Sequence, residues 1–196
     1  MRSLRFGALS TAVVAFILAG PASAGHHSWD FTEIFSNSDG SVQYMEMFVA
    51  TAGEAGVGPF TITAGANTFN FVTNLPSAAT ANTWVLIATP AFAALSGAPT
   101  PDYVLSTSFF ATGGGTLNYA GGADVWSYGA VPTDGFLALE RAGSTAINSP
   151  TNFAGTSGTV NANPSVPSAT SWALMLLVGV MLLIASGGLR QPARTP

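Results

Sequence analysis

Apolar residues in the middle of this chain recur with a period of two, in short runs closed by Gly, Pro, Asn or Asp. That is the signature of strands, not helices. The first run, residues 29–36, and the second, 42–50, are separated by Asn37-Ser38-Asp39-Gly40, which supplies glycine where a hairpin turn needs positive φ. Along the second run Val42, Tyr44, Glu46 and Phe48 share one face, and Gln43, Met45 and Met47 the other. Further strands are predicted at 60–63, 68–73, 84–88, 103–110, 116–119, 124–128 and 136–140, with one helical turn at 91–95 behind Pro90. Short strands at this spacing predict an all-β fold, an antiparallel β-sandwich of the immunoglobulin-like kind. Trp84 opens Trp84-Val85-Leu86-Ile87-Ala88, which is apolar on both faces and predicts a central strand with Trp84 in the core.

The two ends follow other patterns. Arg2 and Arg5 precede an apolar stretch, 9–19, then Pro21 and Ala22-Ser23-Ala24. This is the layout of a secretory signal peptide, 1–24, whose small residues Ala22 and Ala24 place the cut after Ala24. The predicted sandwich domain occupies 25–160, and a Pro/Ser linker covers 161–171. Residues 172–189 carry no charge and as a helix would run about 27 Å, close to the thickness of a bilayer core. Arg190 and Arg194 follow, so the tail 190–196 is expected in the cytoplasm and the body outside it. The sequence thus predicts an exported protein held in the membrane by a single C-terminal transmembrane helix.

Val166-Pro167-Ser168-Ala169-Thr170-Ser171-Trp172, followed by the apolar span and arginines, resembles the PEP-CTERM class of bacterial sorting signals and more closely its IPTL-CTERM relative. Pro167 and Trp172 fall on matching positions, and Ser168 and Thr170 keep the hydroxyls; the Leu, Glu and Gly of that pattern are replaced. The resemblance implies an exosortase-like membrane protease as partner, cutting near Pro167 and passing the body to the envelope. Within the body, Glu33-Ile34, Asp39-Gly40 and Tyr44-Met45-Glu46-Met47 are similar to the opening of a lamin-tail-type domain. That likeness implies an immunoglobulin-like module used for binding or attachment. The runs at 100–103, 132–135 and 148–155 also resemble a group of uncharacterised secreted bacterial proteins.

Composition narrows the chemistry. The 196 residues include no cysteine, and all five basic residues are arginines. Disulfides and thiolate metal sites are therefore excluded. All nine acidic residues lie in the body against a single base, Arg141, which argues against nucleic acid as a partner. The only histidines, His26 and His27, stand beside the cleavage site, where the new terminus Gly25-His26-His27 has the donor order of a Cu(II) or Ni(II) site but is read as polar end residues. No nucleophile elbow or zinc-protease motif is present, and Gly113-Gly114-Gly115 lacks the lysine of a phosphate loop. Asn37, Asp39 and Glu46 fall on three positions of a calcium loop, but Phe35 occupies its first, so a hairpin is expected and a looser calcium site is the metal alternative. Neither metal nor cofactor is expected.

The chain is read as a non-enzymatic envelope protein. One alternative is an adhesin or a polysaccharide- or matrix-binding module, using Trp29, Trp84, Trp126, Phe31, Phe69 and Phe71 as a platform, although strand spacing favours a core role for them. The other is a small hydrolase built on Glu33 and Glu46, facing each other across the first hairpin.

Overall fold

The computed structural model describes residues 28–106 and 108–163. The predicted signal peptide with Ala22 and Ala24, the histidine pair, the run Val166 to Trp172 read as a sorting motif, the apolar span, and Arg190 and Arg194 lie outside the described residues. Ten strands and one short helix are formed: β1 (Asp30–Ser36), β2 (Gln43–Val49), β3 (Thr61–Ala64), β4 (Asn67–Asn70), β5 (Thr83–Ala88), α1 (Pro90–Ala93), β6 (Tyr103–Val104), β7 (Gly115–Tyr119), β8 (Asp124–Tyr128), β9 (Leu137–Glu140) and β10 (Thr145–Ile147). They make a six-stranded sheet, β10-β9-β1-β2-β5-β6, and a four-stranded sheet, β4-β3-β7-β8. The body is all-β, with two sheets sharing one core, as the residue pattern predicts.

Between the sheets, Phe31, Ile34, Met45, Met47, Val85 and Ile87 of the larger one meet Ile62, Phe69, Leu117, Tyr119 and Trp126 of the smaller. This burial is the main stabilising term, at roughly 25 cal/mol for each Å² removed from water. The outer face of the larger sheet is also buried. Phe35, Tyr44, Leu86 and Ala88 pack there against Phe92 of α1 and against Val160 from the C-terminal stretch. Thr89 caps α1 by accepting the Phe92 N–H at 3.3 Å, and Pro90 occupies its first turn, where the missing N–H costs nothing.

The first hairpin forms as its turn residues dictate. Gly40 has φ +72°, and the Asn37 side-chain oxygen accepts the Val42 N–H at 3.1 Å. β1 contains a bulge between Phe31 and Glu33. The extra residue, Thr32, lets Phe31 and Ile34 both enter the core while Glu33 turns to the outer face. Without it, strict alternation would place Glu33 beside Phe31, with a carboxylate between the sheets.

Three expectations change. The strand predicted at 103–110 is only Tyr103–Val104, and it pairs parallel to β5. Beyond it the chain is taken up by buried Gln43, whose amide accepts the Phe109 N–H at 2.7 Å and donates to the Phe110 carbonyl at 2.9 Å. Thr145–Ile147, only three residues long and not predicted as a strand, closes a hairpin on β9 and forms the sheet's other edge. Trp84 is half-buried and not in the core. β6 reaches only Ile87 and Ala88, so the Trp84 end of β5 is an open edge with Phe48 as its neighbour, ring centroids 5.0 Å apart.

Candidate functional site

Three glutamates stand in one row across the outer face of the larger sheet. Glu33 of β1 is the register partner of Glu46 on β2 and of Glu140 on β9. Glu33 and Glu46 are 2% and 4% exposed, and Glu140 is half-buried. Like charges directly opposite in a sheet repel, and burial removes the water that would screen them. The structure therefore brings together the two acids singled out from the sequence and adds a third.

What covers them is the stretch 148–162, a strap laid across the outer face. Asn148 starts it, donating to the carbonyls of Phe136 and Val160 and accepting the Val160 N–H at 2.8 Å, which ties both ends of the strap together. The next odd-numbered amides are each held by a carboxylate. Ser149 donates its N–H to Glu33 Oε1 at 3.0 Å and its hydroxyl to Oε2 at 2.9 Å. The Thr151 N–H reaches Glu46 Oε2 at 2.7 Å, and the Phe153 N–H reaches Asp102 Oδ2 at 2.9 Å. Acids from different parts of the larger sheet thus replace the carbonyls that a neighbouring strand would supply. The remaining capacity is also filled. Tyr44 donates its hydroxyl to Glu33 Oε1, Thr32 donates to Glu46 Oε1 at 2.8 Å, and Leu86 N–H shares Asp102 Oδ2.

The strap turns back at Gly155, φ +78°, and a bridge pairs Thr151 with Ser157. On its return Gly158 lies against the backbone of Gly97, where a Cβ would overlap the carbonyl oxygen. Ala162 then donates to the Gly135 carbonyl at 2.7 Å, and Asn163 to that of Asp134 at 3.0 Å.

Burial pushes the Glu46 carboxyl up to about 7, with the negative charges of Glu33 and Glu140 adding to it against the hydrogen bonds from Thr32 and Thr151. Glu140 is raised by burial and then by Glu33. Asp102 is raised by burial. The Tyr44 phenol is held well above its usual range by burial and then by Glu33, so it remains a donor. Arg141 is engaged elsewhere. Its guanidinium makes a bidentate pair with buried Asp124, at 2.6 and 2.7 Å, and lies over the Trp126 ring.

Of the calcium alternative's residues, Asn37 and Asp39 meet at Ser41 in the turn, whereas Glu46 is engaged with other partners. Asp39 accepts the Ser41 N–H and hydroxyl, Asn37 bonds Val42 and Ser41, and Glu46 serves Thr32 and Thr151. Among the described residues no group of three acids or histidines is arranged to hold a metal. Of the six aromatics considered as a platform, Trp29, Phe31, Phe69, Phe71 and Trp126 are core residues, leaving Trp84 beside Phe48. A groove of about 800 Å³ opens at the hairpin end between Asp39, Asn67, Gly114 and Tyr128, and the three glutamates take no part in it.

Sequence reasoning marked Tyr44 as a strand residue and the runs 100–103 and 148–155 by resemblance, and missed the part that Tyr44, Asp102, Ser149 and Thr151 play here. The available signal was the pair Glu33 and Glu46 on neighbouring apolar strands with no arginine or lysine near them in the sequence, which calls for donors from elsewhere in the chain. Among known proteins, no family model, no curated protein and no solved structure matches the chain. The fold and site define an all-β protein of two sheets with an acid-held strap.

Proposed function

We propose that this is a non-enzymatic exported envelope protein, with an immunoglobulin-like body facing outward and a C-terminal segment that anchors it or submits it to an exosortase-like sorting protease. The observation carrying this reading is the occupancy of the buried acids. Both carboxylate oxygens of Glu33 and of Glu46 accept hydrogen bonds from the protein itself, beneath the strap. A glycosidase pair needs a cleft that admits a sugar between two acids, and this arrangement weighs against it.

Cell fractionation with N-terminal sequencing tests the proposal. The exported protein is expected to begin at Gly25, and Pro167→Ala or Trp172→Ala to leave more full-length chain in the inner membrane. Residues 1–24 retained on the envelope form would refute export by a cleaved leader. Identical fractionation of both variants and wild type would reduce the C-terminal segment to a plain anchor. A second reading, a polysaccharide- or matrix-binding module, rests on the half-buried Phe48–Trp84 pair, and loss of glycan retention in Trp84→Ala would favour it.

A further inference from the structure

The row Glu140–Glu33–Glu46 has no cation to balance it. Facing Glu46 are Glu33 and Thr32 from β1, Glu140 from β9, Tyr44 from its own strand and apolar Leu86 from β5. α1 and the strap contribute no ionisable side chain, and Asp102 lies at the strap's far end. The one base among the described residues, Arg141, is paired with Asp124. Full ionisation would therefore set three negative charges side by side in a largely dry layer.

We propose that the strap is a proton-operated clasp, closed while the glutamate row carries a proton and released from Ser149 and Thr151 when the row is fully ionised. The geometry gives the proton a place. Thr32 Oγ1 lies 2.8 Å from Glu46 Oε1 and 3.3 Å from the Glu46 carbonyl oxygen. With the proton on Oε1, Glu46 donates to the Thr32 hydroxyl, which turns its own hydrogen to that carbonyl. Oε2 goes on accepting the Thr151 N–H, so no polar atom is left unpaired. Taking the proton off restores the acceptor but adds a charge beside Glu33. The raised affinity of Glu46 for its proton accords with this, and sets the release near neutral pH. Release would bare Tyr44 and Leu86. The clasp stands independently of the envelope reading.

Hydrogen exchange on the full-length chain in detergent micelles tests it, with peptides covering 148–154 compared with peptides from β2 and β5 after correction for intrinsic chemistry. Between about pH 5 and about pH 9, strap protection is expected to fall by about tenfold or more, to near that of exposed amides, while β2 and β5 stay protected. Glu46→Gln, whose amide can donate to Thr32 and accept from Thr151, should keep the strap protected at both pH values. Glu140→Gln, at a half-exposed position, removes one of the charges that raise Glu46 and should move the loss to lower pH. The proposal is overturned by flat strap protection, by loss of β2 and β5 protection at the same pH as the strap's, or by wild-type pH dependence in Glu46→Gln. Should Glu46→Gln not fold, an unchanged midpoint in Glu140→Gln overturns it.

Discussion

At the scale of the residue, Glu46 has the largest consequence. Its carboxyl moves from an ordinary 4.5 to about 7 on folding, so the folded state binds the proton more tightly than the unfolded chain. Its contribution is therefore present below pH 4.5 and lost as pH rises towards 7. A shift of this size corresponds to about 3 kcal/mol, a large fraction of a typical stability of about 5–15 kcal/mol. Urea midpoints of the solubilised chain should fall between pH 5 and pH 7.5 in the wild type and change little in Glu46→Gln. Midpoints that rise over that interval in the wild type would contradict the burial of an unpaired charge. That Glu33 and Glu46 sit on neighbouring strands of one hairpin was legible in the sequence, although the turn 37–40 alone does not give their pairing, since Ser36 pairs with Gln43 across residues 37–42. The donors that occupy them were not. Ser149 is 116 positions from Glu33 and Thr151 is 105 from Glu46, and no local pattern links residues so far apart.

At the scale of the element, the strap shows how irregular backbone is accommodated over a sheet. Its alternate amides find carboxylates, so the buried N–H groups are satisfied without a strand partner. Its return limb depends on close approach to the loop after α1. Gly158 needs no positive φ, yet a Cβ there would run into the Gly97 carbonyl, a backbone atom that cannot step aside. Gly158→Ala should cost about 1–3 kcal/mol through overpacking. Gly143→Ala, with open space around it but φ +87°, should cost about 1 kcal/mol through backbone strain alone. Thermal unfolding of both variants, with exchange at 148–154, separates the effects, because only Gly158→Ala should loosen the strap. The period-two pattern located most strands, since alternation needs only neighbouring residues. It overextended the strand at 103–110, where buried Gln43 takes the backbone bonds of Phe109 and Phe110, and it passed over β10, whose Thr145 and Ile147 stay exposed.

At the scale of the whole molecule, the tryptophans report where the core lies. An apolar run such as Trp84-Val85-Leu86-Ile87-Ala88 reads as central in a sequence, because nothing local says that β6 will pair with only its last two residues. Trp84 consequently remains half-buried at an open edge, stacked obliquely on Phe48 at 52°. Trp29, at the first described turn, is 1% exposed, and its indole N–H donates to the Glu54 carbonyl at 2.8 Å. Truncating Trp29 removes a fully buried ring, leaves a cavity and orphans that carbonyl, so Trp29→Ala should cost about 3–5 kcal/mol. Trp84→Ala removes a ring that water already reaches and needs no repacking between the sheets, so its cost should be about 1 kcal/mol. Urea denaturation of the two variants beside wild type measures the contrast. Equal losses would mean that the Trp84 end of the sheet is covered in solution, which neither β6 nor the strap can do from where they lie. A small loss at Trp84 with its ring still accessible to a quencher would leave the Phe48–Trp84 pair free for a partner at the end of β2.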